Sequence, residues 1–181
     1  ELEKDGEKMN LSADIVIVSC GAINSAALLL KSKVANSSDQ IGRNFTKHNQ
    51  SGISAINPDK DNDVVFQKTL SCHDFYHGSP EHPYPLGTIQ LTGKAHYTRI
   101  LGDYGHLGLT EEGAKRMQRL AVDFWFTSED LPDKRNRIEW TDKGIKFNYR
   151  PNSRESHIGF LNMYENKYLK TAGFSEFYRS T

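Results

Sequence analysis

Cysteine is scarce in this chain: Cys20 and Cys72 are the only two among 181 residues. Two thiols cannot build a disulfide scaffold, and these lack the short spacing of a metal site. No run of about 18 apolar residues occurs, since the longest apolar-rich window, 15–30, is broken by Ser19, Asn24 and Ser25. A membrane-spanning helix is therefore not expected. Excess charge of one sign is missing as well, with 23 Lys and Arg against 23 Asp and Glu. Nucleic-acid binders usually carry a basic surplus on one face, so that class of partner is set aside. The opening residues, Glu1 to Glu7, hold no basic segment followed by an apolar one, so no targeting signal is read and a cytoplasmic location is expected. Asn10, Asn36, Asn44 and Asn49 each begin an Asn-X-Ser/Thr triplet, but twelve asparagines produce several such triplets by chance. What is present is a 10% aromatic content and enough length for a real core, which together predict a folded globular chain.

The pattern along the chain changes once. Residues 1–11 read as a polar hairpin with Asp5-Gly6 at its turn. Asp14 to Val18 is a β-branched run without alternation, suited to a strand buried on both faces of a parallel sheet. A tight turn at Cys20-Gly21 and a helix over 22–32 complete one βα unit; alone, such a unit leaves its strand unpaired on both sides. Residues 33–52 lack periodicity and predict a long crossing loop. Beyond it the texture is antiparallel β, with short strands over 52–56, 64–70 and 87–92. Thr110 is placed as the N-cap of a helix over 110–119. Leu120 to Ser128 alternates Val122, Phe124 and Phe126 against Asp123, Trp125 and Thr127. Thr141 to Gly144 is read as the turn of a hairpin between 137–140 and 145–149. Asn152 and Glu155 read as a capping box for a last helix, with His157, Leu161, Tyr164, Tyr168 and Ala172 on its apolar face. The fold class predicted is α+β, with one α/β unit joined to an antiparallel sheet and flanking helices.

Three stretches carry a resemblance. Cys20-Gly21-Ala22-Ile23-Asn24-Ser25-Ala26-Ala27-Leu28-Leu29-Leu30-Lys31-Ser32 resembles the Gly-Ala-X-X-Ser-Pro-X-Leu-Leu-X-X-Ser-Gly signature of the glucose–methanol–choline flavoprotein oxidoreductases. The chain departs from it at Ala26, usually Pro or Ser, and at Lys33, usually Gly. Ile41-Gly42-Arg43-Asn44-Phe45-Thr46-Lys47-His48 is similar to the family's Gly-Arg-Asn stretch, and Ser128 to Pro132 with Asn136-Arg137-Ile138 to a third stretch before a substrate-domain strand. The resemblance implies an enzyme that binds FAD and passes hydride from a small-molecule alcohol to it. It implies that residues 1–50 belong to an FAD-binding domain and 51–181 to a substrate-binding domain. The family's Gly-X-Gly-X-X-Gly fingerprint and its catalytic histidine segment have no counterpart in these 181 residues. The expectation is accordingly a portion of a longer enzyme, partnered by the remainder of its own polypeptide and inactive alone, with no catalytic residue assigned.

In that setting Ser19, Cys20, Gly21 and Ser25 are candidate FAD contacts, because ligands of open α/β sheets bind at the carboxyl ends of strands. Arg43 and Asn44 at the crossing are further cofactor candidates, against the alternative that they only tie the loop to backbone groups. Gln90, Phe124 and Trp125 are candidate substrate contacts; the alternative for the aromatics is sheet packing. His73 and His77 have the i, i+4 spacing of a zinc pair, but Gly78 and Pro80 break the helix that pair needs, so no metal is expected. A serine hydrolase is set aside because no Gly-X-Ser-X-Gly elbow occurs. From a different class, a non-catalytic β-rich binding module that keeps the family fold is the competing function.

Overall fold

Antiparallel pairing dominates the computed structural model, which describes residues 1–66, 68–78, 80 and 85–180. The class is α+β, as the sequence predicts. The elements are β1 (Leu2–Lys4), β2 (Glu7–Met9), α1 (Gly21–Ser32), β3 (His48–Ile56), β4 (Ser71–Cys72), β5 (Thr88–Leu91), α2 (Tyr97–Tyr104) and α3 (Glu111–Leu120). They continue with β6 (Ala121–Glu129), β7 (Arg137–Thr141), β8 (Gly144–Asn148), α4 (Arg154–Met163) and β9 (Glu176–Ser180). The chain divides into two units, residues 1–45 with 133–149 and residues 46–132 with 150–181.

In the first unit, β1 and β2 pair around Asp5 and Gly6, whose φ values of 54° and 82° are what a two-residue hairpin turn demands. The predicted strand over 14–18 does not form. Ile15, Val16 and Ile17 are 80%, 77% and 84% exposed and take part in no ladder among the described residues. A parallel strand exists only through neighbours that satisfy its backbone on both sides, and the described residues supply none. Helix α1 forms without that strand and ends at Lys33, whose φ of 53° and ψ of 39° are left-handed. Its backbone N–H reaches the carbonyls of Leu29 and Leu30, a helix stop that glycine makes at lower cost. The β7–β8 hairpin forms as predicted, with Gly144 at φ 102°. It belongs to this unit: Phe45 packs its ring edge-on against Phe147 and Tyr149, and the Lys31 ammonium lies 5.1 Å from the Trp140 ring centre.

The second unit is built on a five-stranded sheet in the order β4-β5-β6-β3-β9, every pair antiparallel. Strand β3 begins at His48, so the crossing loop is shorter than the expected 33–52. The described part of 64–70 forms no strand, while Gln67 lies outside the described residues. Alternation decides what each face does. Ile53, Ala55, Ile89 and Phe126 point to one side, where they bury Phe160, Leu161 and Leu169 of the C-terminal helical segment. A second cluster joins Ile56 and Ala121 to Ile100, Tyr104, Ala114, Met117 and Leu120 of α2 and α3. Thr110 caps α3 as predicted, its Oγ1 accepting from the Gly113 N–H at 3.2 Å.

Two details of the last helix differ from expectation. The Asn152 side chain does not cap it, and Ser153, the residue before the helix, makes no side-chain cap bond. Asn152 instead accepts from the Leu131 N–H at 2.9 Å and donates to the Leu131 carbonyl at 2.7 Å. A side-chain amide that matches a peptide group in both directions is fully used there. The apolar face also shifts: α4 continues into a π-helical turn over 164–169, and Leu169, not Tyr168 or Ala172, is buried. The wider turn adds a residue per revolution and throws the i, i+4 pattern out of phase.

Candidate functional site

Helix α1 opens without the usual devices. Cys20 precedes it with no side-chain cap bond, and no acidic residue stands in the first turn. Gly21 has φ 78°, and a Cβ there would meet nothing within 4 Å. Ser25 turns back, its Oγ accepting from the Cys20 N–H at 3.0 Å. The first N–H groups of a helix have no intrahelical acceptor and carry a partial positive charge. Uncapped, and beside an open glycine, they form a donor set of the kind that meets a phosphate or ribose oxygen. Ser19, Cys20, Gly21 and Ser25 thus gather at one helix start.

Arg43 and Asn44 do something more local. Arg43 donates from Nε to the Asp39 carbonyl at 2.7 Å and from Nη1 to the Lys134 carbonyl at 3.3 Å, and pairs with the Asp39 carboxylate. Asn44 sits at φ 57°, a left-handed position that asparagine tolerates better than most residues. The glycine before them is there for contact: a Cβ on Gly42 would lie 2.4 Å from the Ile138 carbonyl oxygen. The Gly42 carbonyl accepts from the Ile138 N–H at 2.8 Å, and the Phe45 N–H donates to the Asn136 carbonyl at 3.0 Å. In the structure, then, the Gly-Arg-Asn stretch ties the loop to the 133–149 segment.

The substrate candidates separate. Gln90 and Trp125 are cross-strand partners and share the sheet face opposite the main core. Phe124, one residue earlier, is turned to the core side, with its ring 6.0 Å from Tyr164 and 6.3 Å from Phe174. Strand alternation puts neighbouring side chains on opposite faces, so the Phe124 ring packs on the core side while Phe124 still borders the cavity beside Trp125. The register sets a row across all five strands: Ser71, Gln90, Trp125, Gly52 and Ser180. A second row beside it is Thr88, Thr127 and Gln50. Next to Trp125 lies a cavity of about 530 Å³ lined also by Ser54, Thr92, Arg99, Tyr104, Asp123 and Ser180. Burial holds the Asp123 carboxyl above its ordinary range, opposed by the Ser54 hydroxyl, which donates to it at 2.6 Å, and by the Ala95 N–H.

His157 was read only as part of an apolar face, yet it is a buried polar hub. Its Nδ1 lies 2.7 Å from Ser128 Oγ and its Nε2 2.9 Å from Ser51 Oγ. A neutral imidazole donates from one nitrogen and accepts at the other, so one serine accepts and its counterpart donates. Burial lowers the His157 pKa. Serines at alternate positions of two paired strands, inside otherwise apolar runs, were the available signal. His48 is exposed at the start of β3, and His73 follows β4 directly, with Nε2 3.0 Å from Ser71 Oγ. Among the described residues no three His, Cys, Asp or Glu side chains come together to hold a metal ion. No described helix is long and apolar enough to cross a membrane.

Residues 1–50 match the family model described as GMC oxidoreductase. Over this segment the chain is similar to the GMC oxidoreductases. The match contains both the helix start with its open glycine and the Gly42–Asn44 stretch. No curated protein matches the chain.

Proposed function

We propose that the chain is part of an FAD-dependent oxidoreductase that oxidises a CH–OH group of a small-molecule alcohol. The observation that carries this reading is the match of residues 1–50 to the GMC oxidoreductases. In it, residues 1–45 with 133–149 are the FAD-binding part, and 46–132 with 150–181 the substrate-binding part. Ser19, Cys20, Gly21 and Ser25 hold part of the nucleotide at the start of α1. The uncapped first turn and the open space over Gly21 suit that task. Ser25 fixes the Cys20 peptide through their 3.0 Å bond, which keeps the turn from rotating. Arg43 and Asn44 contribute by shaping the following loop and bringing its backbone to the cofactor. The chemistry FAD supplies when bound is acceptance of a hydride from the carbinol carbon. The chain's own contribution is to bind, orient and exclude water. Gln90 and Trp125, on the open sheet face, contact the alcohol.

Gly21→Val tests the nucleotide half. A β-branched residue at φ 78° is strained, and its side chain fills the space proposed for the ligand. Protein produced from the complete gene should retain oxidised flavin through gel filtration, and the variant should lose most of it while keeping its far-ultraviolet circular dichroism. Undiminished flavin in the variant would refute the placement. Flavin retained without alcohol-dependent reduction would favour a binding module over an oxidoreductase.

A further inference from the structure

A cavity of about 490 Å³ opens within the second unit where the end of β6, the start of α4 and residues 85–87 meet. Ser128 borders it, and its side chain lies on the core side of β6, opposite Trp125 and Thr127. The Leu86 N–H holds one wall in place by donating to the Phe75 carbonyl at 3.1 Å. Gly87 lets that wall come close to the sheet, since at φ 140° a Cβ would run into the Thr127 carbonyl oxygen. Tyr76, Leu86, Leu131 and Pro132 make much of the lining apolar. Two buried polar side chains break it. Asp130 is 5% exposed and accepts from the Asn49 amide at 3.1 Å; Ser128 is 4% exposed and bonded to His157 at 2.7 Å. Glu129 borders the cavity too, and among the described residues its carboxylate has no hydrogen bond or ion pair. No lysine or arginine among the described residues lines the space. A helix start brings a partial positive charge, but Glu155 stands in the first turn of α4 and offsets it. The cavity therefore combines an apolar wall with a negative field.

We infer that it binds a primary ammonium carried on a compact apolar body, with the N–H groups on Asp130 and the body against Tyr76, Leu86 and Leu131. An anion meets two carboxylates there. A neutral apolar ligand shields those carboxylates from water and supplies no countercharge. A quaternary ammonium has no N–H to give the oxygens of Asp130, Ser128 and Ser156. The volume lies within the range of small-ligand sites. Such a ligand needs no hydroxyl, so the inference does not rest on the alcohol reading.

Equilibrium dialysis of the complete gene product with labelled phenethylammonium tests this, because the probe has no carbinol to oxidise. Phenylacetate and phenylacetamide carry the same ring with a negative and a neutral head, and a short oligolysine peptide stands for a basic protein partner. One phenethylammonium should bind per chain, at least about tenfold more tightly than either ring control. Asp130→Asn removes the charge in nearly the same shape and should weaken binding on the order of tenfold. Should that variant fail to fold, Ser156→Leu carries the test. Ser156 is exposed in the first turn of α4, leucine suits a helix, and its side chain fills the cavity, so binding should be lost with circular dichroism unchanged. Equal binding of phenylacetate or phenylacetamide overturns the inference, as does phenethylammonium binding that survives Ser156→Leu. Failure to bind phenethylammonium up to millimolar concentration overturns it as well, and oligolysine retained in that case would make the surface a protein contact instead.

Discussion

Replacing His157 by leucine should be more damaging than the loss of two hydrogen bonds, because of what it leaves behind. The imidazole is 4% exposed and serves Ser128 at 2.7 Å and Ser51 at 2.9 Å, themselves 4% and 3% exposed. Leucine cannot bond either hydroxyl, and each buried group without a partner costs about 1–3 kcal/mol. Leucine returns roughly 1 kcal/mol through apolar burial, so the net loss should be about 1–5 kcal/mol. The triple variant Ser51→Ala, Ser128→Ala, His157→Leu removes the stranded hydroxyls and should recover to within about 1 kcal/mol of the parent. Urea unfolding in the Trp140→Phe background reads this directly, since Trp125 lies on β6 with Ser128. The pH dependence gives a second arm. Burial holds the folded His157 pKa below its ordinary value of 6.5, so the unfolded chain takes up the proton first as pH falls. The stability tied to neutral His157 is therefore present above about pH 6.5 and lost as pH drops toward the lower folded value. The parent's midpoint should fall between about pH 7.5 and 5.5 by more than that of the triple variant. A single variant that unfolds at the parent's midpoint, or a triple variant no better than the single, would refute the idea of a hub.

Lys33→Gly should stabilise α1, because Lys33 closes the helix at φ 53°; removing the left-handed penalty of about 1–2 kcal/mol, less the extra freedom of an unfolded glycine, leaves roughly 0.5–1 kcal/mol. A thermal shift of the hairpin-bearing unit, followed through Trp140, checks it, and a lowered midpoint would speak against the helix stop. Asn152→Ala should cost no more than about 1 kcal/mol, since the two bonds it strips from the Leu131 peptide are exposed and water replaces them, and amide exchange at Leu131 should speed up; Asn152→Ser, expected to keep only part of the pair, should fall between. Phe160→Ala opens a hole among Phe126, Phe75 and Ile53 and should cost about 3–5 kcal/mol by urea unfolding.

Local signals were the readable ones. Asp5-Gly6, Thr110 and the Thr141–Gly144 turn each fix their geometry within a few residues, and each is found where the sequence puts it. The α1 signature was equally plain, and the same residues carry the family match. The alternation of β6 correctly divides Phe126 from Trp125, but a sequence does not say which face is covered; register with β3 and β5 decides that. What failed depended on distant partners. The 14–18 run has the composition of a buried strand, yet a strand needs neighbours to pair with. Asn152 looked like a cap because Glu155 follows three residues on, whereas its partner, Leu131, lies 21 residues away in the sequence. His157 seemed apolar by position since its serines sit 29 and 106 residues away.

The most direct test of the central claim is an anaerobic titration of the complete gene product with small-molecule alcohols, followed through the visible absorbance of its flavin. The expected result is a protein that purifies with oxidised flavin and loses that band on adding one of the alcohols, with slower loss in Gln90→Ala. A product that binds no flavin, even when FAD is supplied, would contradict the assignment.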